Sequence, residues 1–155
     1  MGNRLIGVIS DTHGLIRPQA IKALEKCDLI LHAGDIGAVH VVEELHKIAP
    51  VIAVRGNCDR GICADIFAAT EVVETGGHFF YLLHDLNRMD IEPEAAGIST
   101  VISGHTHQPC QYRQKSILYL NPGSAGPRRF SLPVSLALLK ITGDTLTAEF
   151  INLLH

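Results

Sequence analysis

Arg4–Ser10 (RLIGVIS) is an apolar, β-branched run that stops on the polar turn Asp11-Thr12-His13-Gly14. A short apolar run bounded by turn residues reads as a buried strand. The pattern recurs twice within about sixty residues: Asp28–Ala33 (DLILHA) ends on Gly34-Asp35, and Val51–Val54 (VIAV) ends on Arg55-Gly56-Asn57-Cys58-Asp59. Helical segments lie between the runs. Pro18 suits the first turn of a helix reaching about Lys26, with Ile21 and Leu24 on its inner face. Val39–Ile48 turns Val42, Leu45 and Ile48 inward and Glu43, Glu44 and Lys47 outward. Strand, loop and helix repeated in this way predict a parallel sheet with crossover helices.

The second half is strand-rich. Glu71–Glu74 and Phe79–His84 flank Thr75-Gly76-Gly77, a hairpin signal, and Thr100–Ser103 is a short strand ending on Gly104-His105-Thr106-His107. Gln111–Arg113 with Ile117–Leu120, and Val134–Ile141 with Thr145–Ile151 around Gly143-Asp144, make two further hairpins. The one weak helical candidate is Glu92–Ala96. The expectation is a single α/β domain over 1–155, in which two sheets pack face to face and helices cover the outside.

Composition narrows the function. The chain has 155 residues, 46% of them apolar and 19% charged, enough to form a core and too apolar for a disordered chain. A net charge of −3 supplies no positive field for nucleic acid or an anionic membrane. No apolar stretch approaches the roughly 18 residues of a membrane span. The Leu5–Ile9 run after Met1-Gly2-Asn3-Arg4 is too short for a secretory leader, and Ile6 stands where a myristoylation signal needs Ser or Thr. A cytoplasmic location is expected. The four cysteines are scattered without a CxxC pair, so Cys27, Cys63 and Cys110 are expected as reduced, buried thiols.

Five polar clusters each follow directly on an apolar strand: Asp11-Thr12-His13, Gly34-Asp35, Gly56-Asn57-Cys58-Asp59, His84-Asp85 and Gly104-His105-Thr106-His107. Ligands of α/β sheets gather at the carboxyl ends of strands. Each cluster also has a bland reading. Asp35 is a candidate N-cap, Asp11 a turn former, Asn57 and Asp59 ordinary turn residues, and His84 a satisfied histidine. His105 and His107, two apart in extended backbone, would place both rings on one face. Together the bland readings require five coincidences at one end of the fold. The candidate ligands are therefore Asp11, His13, Asp35, Asn57, His84, His105 and His107. Seven nitrogen and oxygen donors exceed one tetrahedral zinc site and suit two divalent ions sharing a carboxylate. Such a pair clamps the attacking and departing oxygens of an in-line phosphoryl displacement and lowers the pKa of a water between them. Manganese is the foremost candidate, with nickel, iron or zinc as alternatives.

The series DTH, GD, GNCD, LLH and GHTH resembles the pattern DxH…GD…GNH[DE]…H…GHxH of the calcineurin-like metallophosphoesterase superfamily. The short length, GNCD and Asn121-Pro122-Gly123-Ser124 are similar to its compact YfcE-like phosphodiesterase subfamily. The resemblance covers about 5–151. It implies a four-layer αββα sandwich of two mixed sheets flanked by helices, with a dinuclear site. Asp11, His13, Asp35 and His107 would hold one ion, and Asp35, Asn57, His84 and His105 the other, with Asp35 bridging. It further implies a small phosphoester substrate, most readily a diester, and a dimer or tetramer as a frequent assembly. Asp35, Asn57, Cys58 and His105 are the candidate catalytic residues.

Two positions depart from the pattern. Cys58 replaces the histidine after the motif asparagine, and a neutral thiol donates weakly, so turnover should favour esters whose leaving group needs little protonation. Cys58 as a space-filling thiol is the competing reading. Asp85 replaces glycine after His84, either orienting an imidazole or standing as a surface turn residue. His32, inside its strand, is expected buried and hydrogen-bonded, while His40, His46, His78 and His155 read as surface or helix-face residues. Arg55, Arg128 and Arg129 are candidate phosphate holders, as are Arg17 and Arg60. The Asn121–Ser124 turn is expected to shape the wall of the site. The alternative function is a non-catalytic interaction scaffold like the retromer subunit of the same fold, which has lost histidines that this chain keeps at 13, 84, 105 and 107. An oxidoreductase is disfavoured by the absence of flavin, haem or thiolate signatures.

Overall fold

The computed structural model describes residues 3–154, so His155 and the first two residues of the amino-terminal reading lie outside it. Two five-stranded mixed sheets face each other. The first contains β1 (Arg4–Ile9), β2 (Leu29–His32), β3 (Val51–Ala53), β9 (Ser135–Thr142) and β10 (Thr145–Asn152), in the order β10-β9-β1-β2-β3. The second contains β4 (Thr70–Thr75), β5 (His78–Leu83), β6 (Thr100–Ile102), β7 (Cys110–Gln114) and β8 (Ile117–Asn121), in the order β4-β5-β6-β8-β7. This is the sandwich of the metallophosphoesterase fold.

Strand alternation divides the apolar residues between layers. Ile6, Val8, Leu29 and Leu31 from the first sheet meet Phe80, Leu82, Ile102 and Leu120 from the second. The opposite face, with Ile9, Ile30 and Leu136, packs under helices α1 (Pro18–Leu24) and α2 (Val39–His46) through Ala20, Leu24, Val41 and Leu45. β1 and β2 are buried on both faces, which is why they read as continuous apolar runs. The outer layer on the second sheet is thinner: Leu86, Met89, Ile91 and Ile98, from a 3₁₀ turn (Leu86–Arg88) and the loop after it, cover Tyr81, Leu83 and Val101.

Register aligns the functional loops. In the parallel part of the first sheet Ile9 pairs with His32 and His32 with Ala53. The second sheet aligns Leu82 with Ile102 and Ile102 with Leu120. The loops that follow these strands therefore leave both sheets at one edge.

Several elements differ from the sequence reading. Helix α3 (Ile62–Ile66) was hidden in a stretch without helical periodicity. Glu92–Ala96 forms a single turn closed by Ala96 N–H to Glu92 O, not a helix, because Pro93 and Gly97 interrupt it. Cys110 is exposed, since it opens edge strand β7 whose outer side nothing covers; Cys27 and Cys63 are buried, and all four thiols are free. Asp35 does not cap α2, whose N-cap is Ala38. Among the described residues no helix is long and apolar enough to cross a membrane.

Candidate metal centre

Asp11 and His13 follow β1, Asp35 follows β2, Asn57 and Cys58 follow β3, His84 follows β5, and His105 and His107 follow β6. All seven proposed ligands converge where the loops of the two sheets meet. His107 Nε2 lies 3.3 Å from Asp11 Oδ1, His84 Nε2 lies 3.2 Å from Asp35 Oδ2 and 3.8 Å from Asp11 Oδ1, and His13 Nε2 lies 3.8 Å from Asp35 Oδ2. One oxygen of Asp35 thus stands between His13 on one side and His84 on the other. Asn57 Oδ1 and His105 Nδ1 are 3.2 Å apart, and the His84 and His105 rings meet edge to face at 5.1 Å. The Cys58 thiol is exposed and lies beside His13 and Asp35.

Left-handed backbone at residues other than glycine is concentrated at this site. Of the eight non-glycine residues with positive φ among those described, five are candidate ligands: Asp11, His13, Asp35, His105 and His107. Left-handed backbone disfavours residues with a Cβ, and such conformations persist where surrounding structure holds them. This corrects the expectation for His105 and His107, which are not in extended backbone. Their left-handed conformations send His107 to Asp11 and His13 and His105 to Asn57 and His84.

Buried hydrogen bonds hold these conformations. Asp11 Oδ2 accepts from Ser10 Oγ at 2.7 Å and from the His105 amide at 3.1 Å, and Asp35 Oδ1 accepts the Cys58 amide at 2.8 Å. His84 Nδ1 donates to Ala33 O at 2.7 Å, which leaves Nε2 facing the two carboxylates. His32 is fully buried. Its Nδ1 accepts the Gly34 amide, so Nε2–H donates to Thr12 Oγ1, which donates in turn to Ile36 O. That chain ties the Asp11–His13 loop to the loop carrying Asp35. At Gly34 and Gly104 a Cβ would stand 2.7 Å from His84 Nδ1 and Asp11 Oδ2, and at Gly56 it would land on the Asp35 carboxylate; these glycines are required by close approach.

Three contributions were missed or underrated in the sequence. Asp59, read as an ordinary turn residue, is buried and accepts from the Ile36, Gly37 and Gly56 amides, clamping the second and third loops together. Its signal was the acidic residue closing the GNH[DE] pattern. Asn121 donates from Nδ2 to Gly104 O and Thr106 Oγ1, and Ser124 Oγ donates to Asp11 O, so the Asn121–Ser124 turn holds the ligand loops from behind. Asp85 takes the turn role: Oδ1 caps the 3₁₀ turn through Asn87 N, while Oδ2 lies 3.9 Å from His105 Nε2, beyond hydrogen-bond distance.

The electrostatics are those of a cation site. Burial alone would raise the Asp35 carboxyl, but the adjacent His84 imidazole, the Cys58 amide and His13 outweigh it and bring it down to about 2. Burial likewise opposes ionisation of Asp11, and His107, His84 and Ser10 overcome it, leaving its pKa lowered. His84 is pushed down by burial and more strongly up by Asp35 and Asp11. Burial, then Asp35, raises the Cys58 thiol in the metal-free protein. Asp11 Oδ1, His13 Nε2, His84 Nε2 and His107 Nδ1 are buried without a hydrogen-bond partner. Buried polar atoms are ordinarily paired, and orphaned donor atoms gathered on neighbouring metal-ligand residues fit divalent cations.

Fold and donor set together define a metallophosphoesterase. Residues 5–144 match the calcineurin-like phosphoesterase superfamily domain, and the chain belongs to that family. It is 36% identical over 160 residues to a probable metallophosphoesterase of Methanothermobacter thermautotrophicus, covering 96% of this chain and 92% of the relative. Among solved structures it resembles a novel archaeal phosphodiesterase (23% identity, 95% of this chain and 99% of the other, TM-score 0.78). It also resembles Entamoeba histolytica Vps29 complexed with zinc (23% identity, 96% and 99%, TM-score 0.74). At these identities the two structures bear on the fold alone.

Proposed function

We propose that this chain is a single-domain phosphodiesterase that uses two divalent metal ions, manganese foremost, to hydrolyse a small phosphoester. The observation that carries this reading is the gathering of buried, unpartnered donor atoms of Asp11, His13, His84 and His107 around two carboxylates, His13 and His84 reaching both Asp35 and Asp11, and His107 reaching Asp11. Asp11, His13, Asp35 and His107 would hold one ion, and Asp35, Asn57, His84 and His105 the other. Bound there, the ions supply a hydroxide at neutral pH and the positive charge that an in-line displacement at phosphorus requires.

The chain's own residues prepare that step. Asp35, held ionised and oriented by the Cys58 amide, keeps the two halves of the site in register. His84 is fixed through Ala33 O with its Nε2 turned inward. The half-buried His105 and the exposed Asn57 stand where an entering phosphoryl group would arrive. The protonated thiol of Cys58 is a weak donor to a leaving group, which favours diesters with good leaving groups over monoesters.

Metal content and hydrolysis of bis(p-nitrophenyl) phosphate, measured before and after chelation, test the reading. Two ions per chain, loss of hydrolysis on chelation and recovery with manganese are expected. Full activity without metal would sink it. The likeness to Vps29 favours one second reading, a non-catalytic interaction scaffold of the same fold. A protein that hydrolyses no phosphoester even when loaded with metal would favour that reading instead.

A further inference from the structure

The site is open on one side and walled on the other. A cleft of about 590 Å³ runs from Asn57, His84 and His105 along Arg55, Thr70 and Arg88. Neither guanidinium has a carboxylate within 4.0 Å among the described residues: Arg88 has no side-chain partner there, and Arg55 spends one N–H on Phe67 O at 3.0 Å. Two unpaired arginines in one wall run against the chain's net charge of −3. Of the two carboxylates in the same cleft, Asp85 is occupied by the Asn87 amide and turned toward His105, which leaves Asp90 as the opposing charge. No Phe, Tyr or Trp lines the cleft.

Resting on the reading above and deepening it, we infer that this cleft selects phosphodiesters in which one alcohol carries a second anionic group, with Arg55 and Arg88 receiving that anion. A guanidinium presents a planar fork of donors that matches a carboxylate or phosphate and gains strength from its charge. The reacting phosphorus sits at the His105 end, and the second anion extends toward Arg88. Arg55 was a candidate phosphate holder by sequence; Arg88 becomes visible only because the 3₁₀ turn after Asp85 brings it to the cleft.

Three p-nitrophenyl phosphodiesters with the same leaving group test this, their second alcohols being 3-hydroxypropionate, propanol and choline. The manganese-loaded protein should prefer the carboxylate ester over the propyl ester in kcat/KM by about ten-fold, with the choline ester poorest; one charge-assisted contact is worth about that factor. The preference should collapse in Arg88→Gln and Arg55→Gln and rise in Asp90→Asn. Equal kcat/KM for the three esters, or a preference that survives both arginine substitutions, overturns the inference. Binding of the matching non-hydrolysable phosphonates by calorimetry keeps the two readings separate. If no ester is cleaved yet the carboxylate phosphonate binds tightest and loses that advantage in Arg88→Gln, the catalytic reading fails and this one stands. Equal affinity for all three phosphonates overturns it.

Discussion

The two halves of the site are built differently. Asp11, Asp35, His84 and His107 are buried, whereas Asn57 and Cys58 are exposed and His105 is half-buried. The buried half is over-determined: Ser10, Ala33 and the His105 and Cys58 amides each fix one of its groups. The exposed half is held loosely, with Asn57 and His105 bonded mainly to each other. Two ionised carboxylates packed among imidazoles are costly to bury unless positive charge accompanies them. The lesson is a division of labour, in which the inner residues trap charge and the outer ones are left free to meet a substrate.

Substitutions separate the two halves most sharply at Asp35. Asp35→Asn removes the shared charge and should lower diester turnover by a factor of about a thousand or more, the scale of losing a main electrostatic contributor, with metal content falling below two ions per chain. Unchanged turnover would refute a dinuclear mechanism. Gly56→Ala places a methyl on the Asp35 carboxylate and should cost about 1–3 kcal/mol of stability in urea, the range for overpacking, together with weakened metal uptake.

The inner scaffold has its own signature in pH. Burial holds the His32 pKa down to about 4, against an ordinary value of 6.5, and the charges of Asp11 and Asp59 only partly oppose this. The unfolded chain therefore binds a proton in this window that the folded chain refuses. The neutral ring's contribution is whole above pH 6.5 and is lost as pH falls toward 4, by about 3 kcal/mol in total. Urea unfolding of the metal-free protein across this range should show the slope, and His32→Gln should flatten it. An identical slope in the variant would place the proton uptake elsewhere. Metal should raise the melting temperature of wild type more than that of His84→Ala, since binding to the folded state alone stabilises by mass action. The smallest effect is expected at the outer rim: Cys58→His should keep diester turnover or raise it a few-fold, with the larger gain on monoesters of poor leaving groups such as alkyl phosphates, through a better proton donor. A strong loss there would give the thiol a role of its own.

Much of this was legible before folding. The β1–β3 runs announce themselves because strands buried on both faces must be apolar throughout, and Gly76-Gly77 marks its hairpin by supplying positive φ at both turn residues. The Lys115-Ser116 turn has the same conformation without glycine, and α3 lacks the periodicity that reveals a helix. Among the ligand types, the Asp, His and Asn residues after each strand were readable because chemistry restricts metal donors to few side chains. How His105 and His107 divide between the two sides followed only from the family resemblance, because local geometry alone put them on one face.

The order of residues by itself determined which side chains are available and that each follows a strand. A parallel strand with a polar stop is a local matter of side-chain size and turn chemistry. Only the tertiary structure decided that Asp35 stands between His13 and His84, that Asp59 clamps two loops, and that Arg88 reaches the cleft. Those facts depend on strand register and on left-handed backbone held by long-range hydrogen bonds. Neither has a signature within a short window of sequence.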